Sequence, residues 1–202
     1  MESPKQPLGR PRDSRVDDAI RGAVRELIAE VGYAGLTVDA VAARAGVGKA
    51  AIYRRHASRV ELVFAGLVHD REPHPLPDTG SLHGDLTGLA NVIVKSFSDP
   101  VVAAAIPGLL ADLKQHPDTA ERFQRTFIAM ERGQVSGILQ RALVRGELTV
   151  EADPVLVHAT MLGTVFAWTF LLDRQPGPEL VERIAALTAA GLTGGGPGRP
   201  VG

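Results

Sequence analysis

The chain has 202 residues, 45% of them hydrophobic and 22% charged, which suits one medium domain or two small ones with a real core. Cysteine is absent. That excludes a disulfide scaffold, a thiolate zinc site, an iron–sulfur cluster and a cysteine nucleophile together, and nothing calls for an oxidising compartment. The net charge of −1 announces no polyanion partner for the whole chain, yet residues 1–59 carry eleven Lys/Arg against seven Asp/Glu (+4) and the remainder eleven against sixteen (−5). A basic first third before an acidic remainder points the first third towards nucleic acid.

Residues 1–13 are polar, with three prolines and no apolar periodicity; they predict a flexible basic arm rather than a secretory signal. From Ser14, Val16, Ile20, Ala23, Val24, Leu27, Ile28 and Val31 fall on one helical face. Ser14 is the expected N-cap, Asp17 and Asp18 favour the positive helix end, and Gly32 supplies the stop. Thr37 predicts the cap of a short helix, Val38 to Ala45, ended by Gly46. Lys49 to His56 reads as another short helix, and Ser58 caps a fourth running to about Asp70. This compact unit, 14–70, meets a boundary at 71–81, where Pro73, Pro75, Pro77 and Gly80 forbid a regular helix. Apolar-periodic stretches follow over Leu82–Ser98, Val101–Gln115 with a bend at Pro107, Asp118–Arg145, Pro154–Leu172 and Pro178–Leu192. They form an expected second helical domain, 82–192, before a disordered glycine–proline tail, 193–202. Strand signals are nearly absent, so the fold class is all-α.

The informative segment runs from Thr37 to Tyr53. Two short helices meet at Gly46, which adopts the positive φ of a sharp reversal at no Cβ cost. Val38, Val41, Ala42, Val47 and Ile52 are placed to pack the pair against Leu27 and Val31. Gly48, Lys49, Ala50, Ala51, Tyr53 and Arg54 then face outward. Small residues there let a helix enter a major groove about 12 Å wide. Lys49 reaches a phosphate or a guanine edge, Tyr53 donates to a phosphate, and Arg54, Arg55 and Arg59 lie where the backbone would run. In the arm, Arg10 and Arg12, flanked by Gly9 and Pro11, suit an adjacent minor groove.

The run from Val16 to Leu62 resembles the N-terminal DNA-binding domain of the TetR family of transcriptional regulators. The resemblance is carried by Gly32-Tyr33, Leu36-Thr37-Val38, Val41-Ala42, Ala45-Gly46-Val47, Ile52-Tyr53-Arg54-Arg55, Ser58-Arg59 and Glu61-Leu62, and covers about a quarter of the chain without a gap. It implies a cytoplasmic homodimer that places two such helices in successive major grooves of a palindromic operator, usually as a repressor, and that a small molecule in the C-terminal domain releases. Carried over by position, Thr37 contacts a phosphate, Gly48 to Ala51 and Tyr53 form the reading face, and Arg59, where the family often has lysine, holds the DNA backbone. His56 stands where the family usually has Phe or Trp. It is expected to pack neutral behind the recognition helix, with pH-sensitive DNA binding as the competing hypothesis.

In the acidic remainder, Phe123, Phe127, Met130, Met161, Phe166 and Trp168 read first as core; the resemblance makes them, with Phe97 and His158, the candidate lining of an apolar cavity for an apolar or amphipathic effector. Pro154 to Leu172 holds nineteen residues without a formal charge. By length it just spans a bilayer, but His158, Gly163, three threonines and acids at both ends favour a buried subunit or domain contact, and no membrane partner is expected. Gly163 and Ala167, with Leu180, Ile184 and Leu187 on the last helix, are the expected dimer surface. No metal spacing, Walker loop, G-x-S-x-G or G-x-G-x-x-G occurs. No cofactor or enzymatic activity is therefore expected, and His69, Asp70, His74 and His83 make at best a makeshift metal site. The alternative is a helical small-molecule-binding or catalytic protein whose N-terminal hairpin is only structural.

Overall fold

The computed structural model describes residues 14–68, 76 and 78–194. The expected arm with Arg10 and Arg12, the linker histidine His74, and His69 and Asp70 lie outside the described residues, as do the side chains of Ser14 and Phe127. Among the described residues there are ten α-helices, two π-helical turns and no strand. The chain divides into two compact units, Met1–Asp70 and Arg71–Gly202.

Unit 1 holds α1 (Ser14–Gly35), α2 (Val38–Ala45), α3 (Lys49–Tyr53) and α4 (Arg59–Val68). The stripe predicted on α1 buries Ile20, Ala23, Val24, Leu27 and Ile28, and Val41 of α2, Ile52 of α3 and Leu62 and Val63 of α4 are buried in the same unit. Val31 corrects that expectation, being 53% exposed. Gly32 breaks the helix just after Val31, with φ 71° and ψ 174°, and the buried positions beyond the break are Tyr33 and Leu36. α4 crosses α1 closely: a Cβ on Gly66 would come within 2.6 Å of the Val24 side chain, so the crossing depends on the missing methyl.

Unit 2 holds α5 (Leu82–Phe97), α6 (Pro100–Gln115), α7 (Pro117–Phe123), α8 (Ala129–Val144), α9 (Pro154–Phe166) and α10 (Pro178–Thr193). Its core joins α5, α8, α9 and α10 through residues such as Leu86, Ile93, Ile138, Met161, Val165 and Ile184. Two expectations shift. Helix α6 runs on through Pro107. The sharp change of direction, 86°, comes earlier, between α5 and α6, where the Asp99 carboxylate accepts from the Val101 amide at 2.9 Å and Pro100 opens the new helix. The single helix expected over Asp118–Arg145 is interrupted by a π turn at Gln124–Ile128, and a second π turn, Ala167–Leu171, extends α9.

One polar cluster is set into this unit. The fully buried Asp85 carboxylate accepts from the Thr79 amide (2.8 Å) and hydroxyl (2.7 Å), from Arg141 (3.2 Å) and from Arg145 (3.3 Å). Glu147 accepts from the Leu82 amide at 2.7 Å and from Arg145 at 2.5 Å. The start of α5 is thereby tied to the end of α8. Burial pushes the Asp85 carboxyl up, but the Thr79 hydrogen bonds and the Arg141 guanidinium outweigh it and hold it below the usual range.

Candidate nucleic-acid interface

The geometry of α2 and α3 follows from their caps. The Ala40 amide donates to Thr37 Oγ1 at 3.1 Å, opening α2. At its other end Gly46 sits at φ 65°, ψ 31°, and the Val47 amide donates to the Ala42 carbonyl at 3.0 Å. This left-handed closure turns the chain sharply into α3. Ile52 anchors α3 from below, 1% exposed. Its opposite side carries Gly48, Lys49, Ala50, Tyr53 and Arg54, all exposed, with Ala51 half-buried. A Cβ on Gly48 would meet nothing within 4 Å. The result is a slim, open face bordered by a phenol and two cationic groups.

The basic side chains predicted around this face divide into two sets. Lys49 pairs with Asp39 of α2, and Arg54 is exposed. Arg55 and Arg59 instead hold the unit together. Arg55 Nε donates to Asp17 of α1 at 2.6 Å, and its Nη1 donates to the Ala51 carbonyl at 3.1 Å. Arg59 Nη1 donates to the carbonyls of Tyr33 (3.0 Å) and Leu36 (3.1 Å), and its guanidinium lies 4.4 Å from the centre of the Tyr33 ring. On the far side of α2, Arg44 bridges Glu26 (3.0 Å) and Glu30 (2.8 Å) of α1, and its hydrogen bond to Glu30 holds that carboxyl below its usual range. His56 is half-buried just beyond α3. The sequence reading missed the roles of Asp17 and Asp39. Both sit in first helical turns, where helix-end electrostatics already accounts for an acid.

The residues predicted to line an effector cavity are also divided. Phe97, Met161, Phe166 and Trp168 belong to or pack on one core cluster, where Phe170 stacks tilted on Phe166 at 4.8 Å and edge-on to Phe97 at 6.0 Å. His158 is buried, its Nε2 3.2 Å from Glu131 of α8. Phe123 is buried apart from that cluster, and Met130 is exposed. The Thr169 hydroxyl oxygen, in the second π turn, is buried without a hydrogen-bond partner.

Of the expected dimer surface, Leu180 and Ile184 are spent on the unit's own core. The outer side of α10 presents Leu187, 75% exposed, among small residues, and the outer side of α9 presents Val155, Leu156 and Gly163. The stretch Pro154–Leu171 is long and apolar enough to cross a membrane, but Val157, Met161 and Val165 pack in the core.

Two family models match the chain: bacterial regulatory proteins of the tetR family over residues 20–65, and the tetracyclin repressor-like C-terminal domain over residues 76–188. An uncharacterized HTH-type transcriptional regulator of Mycobacterium tuberculosis is 31% identical over 159 residues, 78% of each chain. The DNA-binding transcriptional repressor TetR of Mycobacteroides abscessus is 27% identical over 142 residues, 69% of this chain and 74% of its own. Among solved structures, the fatty acid degradation regulator FadR from Bacillus halodurans superposes with a TM-score of 0.67 at 19% identity, covering 91% of this chain and 98% of its own. FadR from Bacillus subtilis in complex with stearoyl-CoA gives 0.64 at 18% identity, covering 89% and 99%. The capped α2, the left-handed Gly46 and the open face of α3 thus stand in a chain that belongs to the TetR family of transcriptional regulators and carries its DNA-binding helix-turn-helix.

Proposed function

We propose that this regulator acts in the cytoplasm as a homodimeric repressor, binding a palindromic operator and released by a small apolar or amphipathic ligand. The observation that carries the reading is the outward side of α3: Gly48, Lys49, Ala50 and Tyr53 are exposed, and nothing bulky stands on the leading edge. Such a face lets the helix sink until base edges come within reach, and a two-fold dimer presents two of them to half-sites about 34 Å apart. The Thr37 hydroxyl oxygen accepts from α2, which leaves its proton to donate to a phosphate. Lys49, Tyr53 and Arg54 are the direct DNA contacts; Arg55 and Arg59 act from behind by fixing α3 and α4 to α1.

The exposed apolar residues on α9 and α10 support dimerisation through those helices. For the effector, the aromatic group around Phe97, Phe166, Trp168 and Phe170 supports a ligand with a large apolar part. The stearoyl-CoA complex shows that a chain of this fold holds such a molecule.

The experiment is selection of bound duplexes from a random pool, followed by a salt titration of the selected sequence. Selective binding that weakens steeply with salt is expected, and Tyr53→Ala should lose it while far-UV helicity and dimer mass persist. No enrichment, or a Tyr53→Ala isotherm equal to the parent's, would leave the hairpin as a structural element of a helical small-molecule-binding protein.

A further inference from the structure

We infer that Asp39 is a specificity-determining residue of the DNA face, acting through Lys49. The two belong to different helices, α2 and α3, and meet in an ion pair whose side chains remain 66% and 58% exposed. Asp39 therefore lies on the accessible side of the helix-turn-helix, beside the first residue of the reading helix. The inference rests on the DNA-binding reading above.

An ammonium offers three donors and no acceptor. With one donor on Asp39, two remain for a groove. The two alternatives open to it on DNA are a phosphate and a purine edge, and Asp39 weighs on them differently. A phosphate brings a full negative charge alongside the carboxylate, and a cation already neutralised by its neighbour releases few counterions when it meets the backbone. The guanine O6 and N7 acceptors are uncharged, so the pair meets them without like-charge repulsion. The carboxylate itself suits a cytosine amino group, the donor on the other half of a G·C pair. Asp39 thus penalises sequence-independent backbone binding more than base reading, which sharpens discrimination without adding an attractive contact.

The test compares Asp39→Asn and Asp39→Glu with the parent on two duplexes: one recovered from the random pool and a scrambled one of the same length. For Asp39→Asn, affinity for the scrambled duplex is expected to rise about threefold and its salt slope to steepen by about 0.9, one further phosphate contact. The ratio of selected to scrambled affinity falls accordingly, while Asp39→Glu keeps the parent's ratio. Repeating the substitution in a Lys49→Ala background should abolish the effect. An unchanged ratio in Asp39→Asn overturns the inference, and so does an equal change in the Lys49→Ala background, which would make Asp39 a diffuse charge rather than a partner of Lys49. Absence of any preference by the parent chain would instead overturn the DNA-binding reading itself.

Discussion

Replacing Asp85 by asparagine should destabilise the second unit by about 2 kcal/mol. The carboxylate accepts from Thr79 twice, from Arg141 and from Arg145, and is fully buried. Asparagine retains one acceptor for Thr79 but turns an amide donor towards guanidinium donors, so the charge-assisted bonds are lost. Each such bond contributes roughly 1.5–3 kcal/mol. The full sum does not apply, because Arg145 keeps Glu147 and both arginines keep Asp78. At this chain length about 2 kcal/mol corresponds to a fall in melting temperature of roughly 4–8 °C. The sign of the pH dependence follows from the depressed folded-state value. Asp85 contributes its stability in full above the unfolded carboxyl's pKa, about 3.9, and loses it as pH falls through the lower folded value. Thermal unfolding followed by circular dichroism should therefore show a constant gap between parent and variant from pH 7 to about pH 5, closing below about pH 4. Coincident melting curves at pH 7, or a gap still undiminished at pH 3, would refute the assignment of that stability to the ionised carboxylate.

Two further outcomes follow from the geometry. Arg55→Ala releases the end of α3 from Asp17. It should lower stability by about 1–2 kcal/mol and weaken operator binding, with Asp17→Asn giving the same phenotype and the double variant little more; additive losses in a double-mutant cycle would instead place Arg55 on the DNA. Leu187→Glu puts a charge on the outward side of α10, where the leucine is 75% exposed. Because two-fold symmetry counts the change twice, the dimer should weaken by roughly 3 kcal/mol or more, over a hundredfold; an unchanged sedimentation profile at low micromolar concentration would exclude this face.

Much of the helix-turn-helix was legible because its signals are local. Thr37 and Gly46 declare the ends of α2 through cap chemistry involving only neighbouring residues, and the apolar period of α1 marks its inner face without knowledge of its partners. The divided roles of the arginines were not legible. Arg54 and Arg55 are adjacent and alike in sequence, and what separates them is Asp17, thirty-eight residues before Arg55. The Asp85 cluster spans more still, fifty-six residues to Arg141. Val31 fits the helical period and is nonetheless left 53% exposed, one residue before the break at Gly32. Likewise Leu180, Ile184 and Leu187 share a spacing, but the neighbouring helices cover the first two alone. Periodicity reports which residues share a face; only the packed neighbours decide how wide the covered strip is.

Arg59 acts as a clasp between α4 and the end of α1. Its guanidinium grips the carbonyls of Tyr33 and Leu36, the latter one residue ahead of the Thr37 cap. The first residue of α4 is thereby clasped to the junction where α1 hands over to α2, and Arg55 couples α3 back to the head of α1. α3 and α4 are therefore each fastened to α1 by a guanidinium, at opposite ends of that helix.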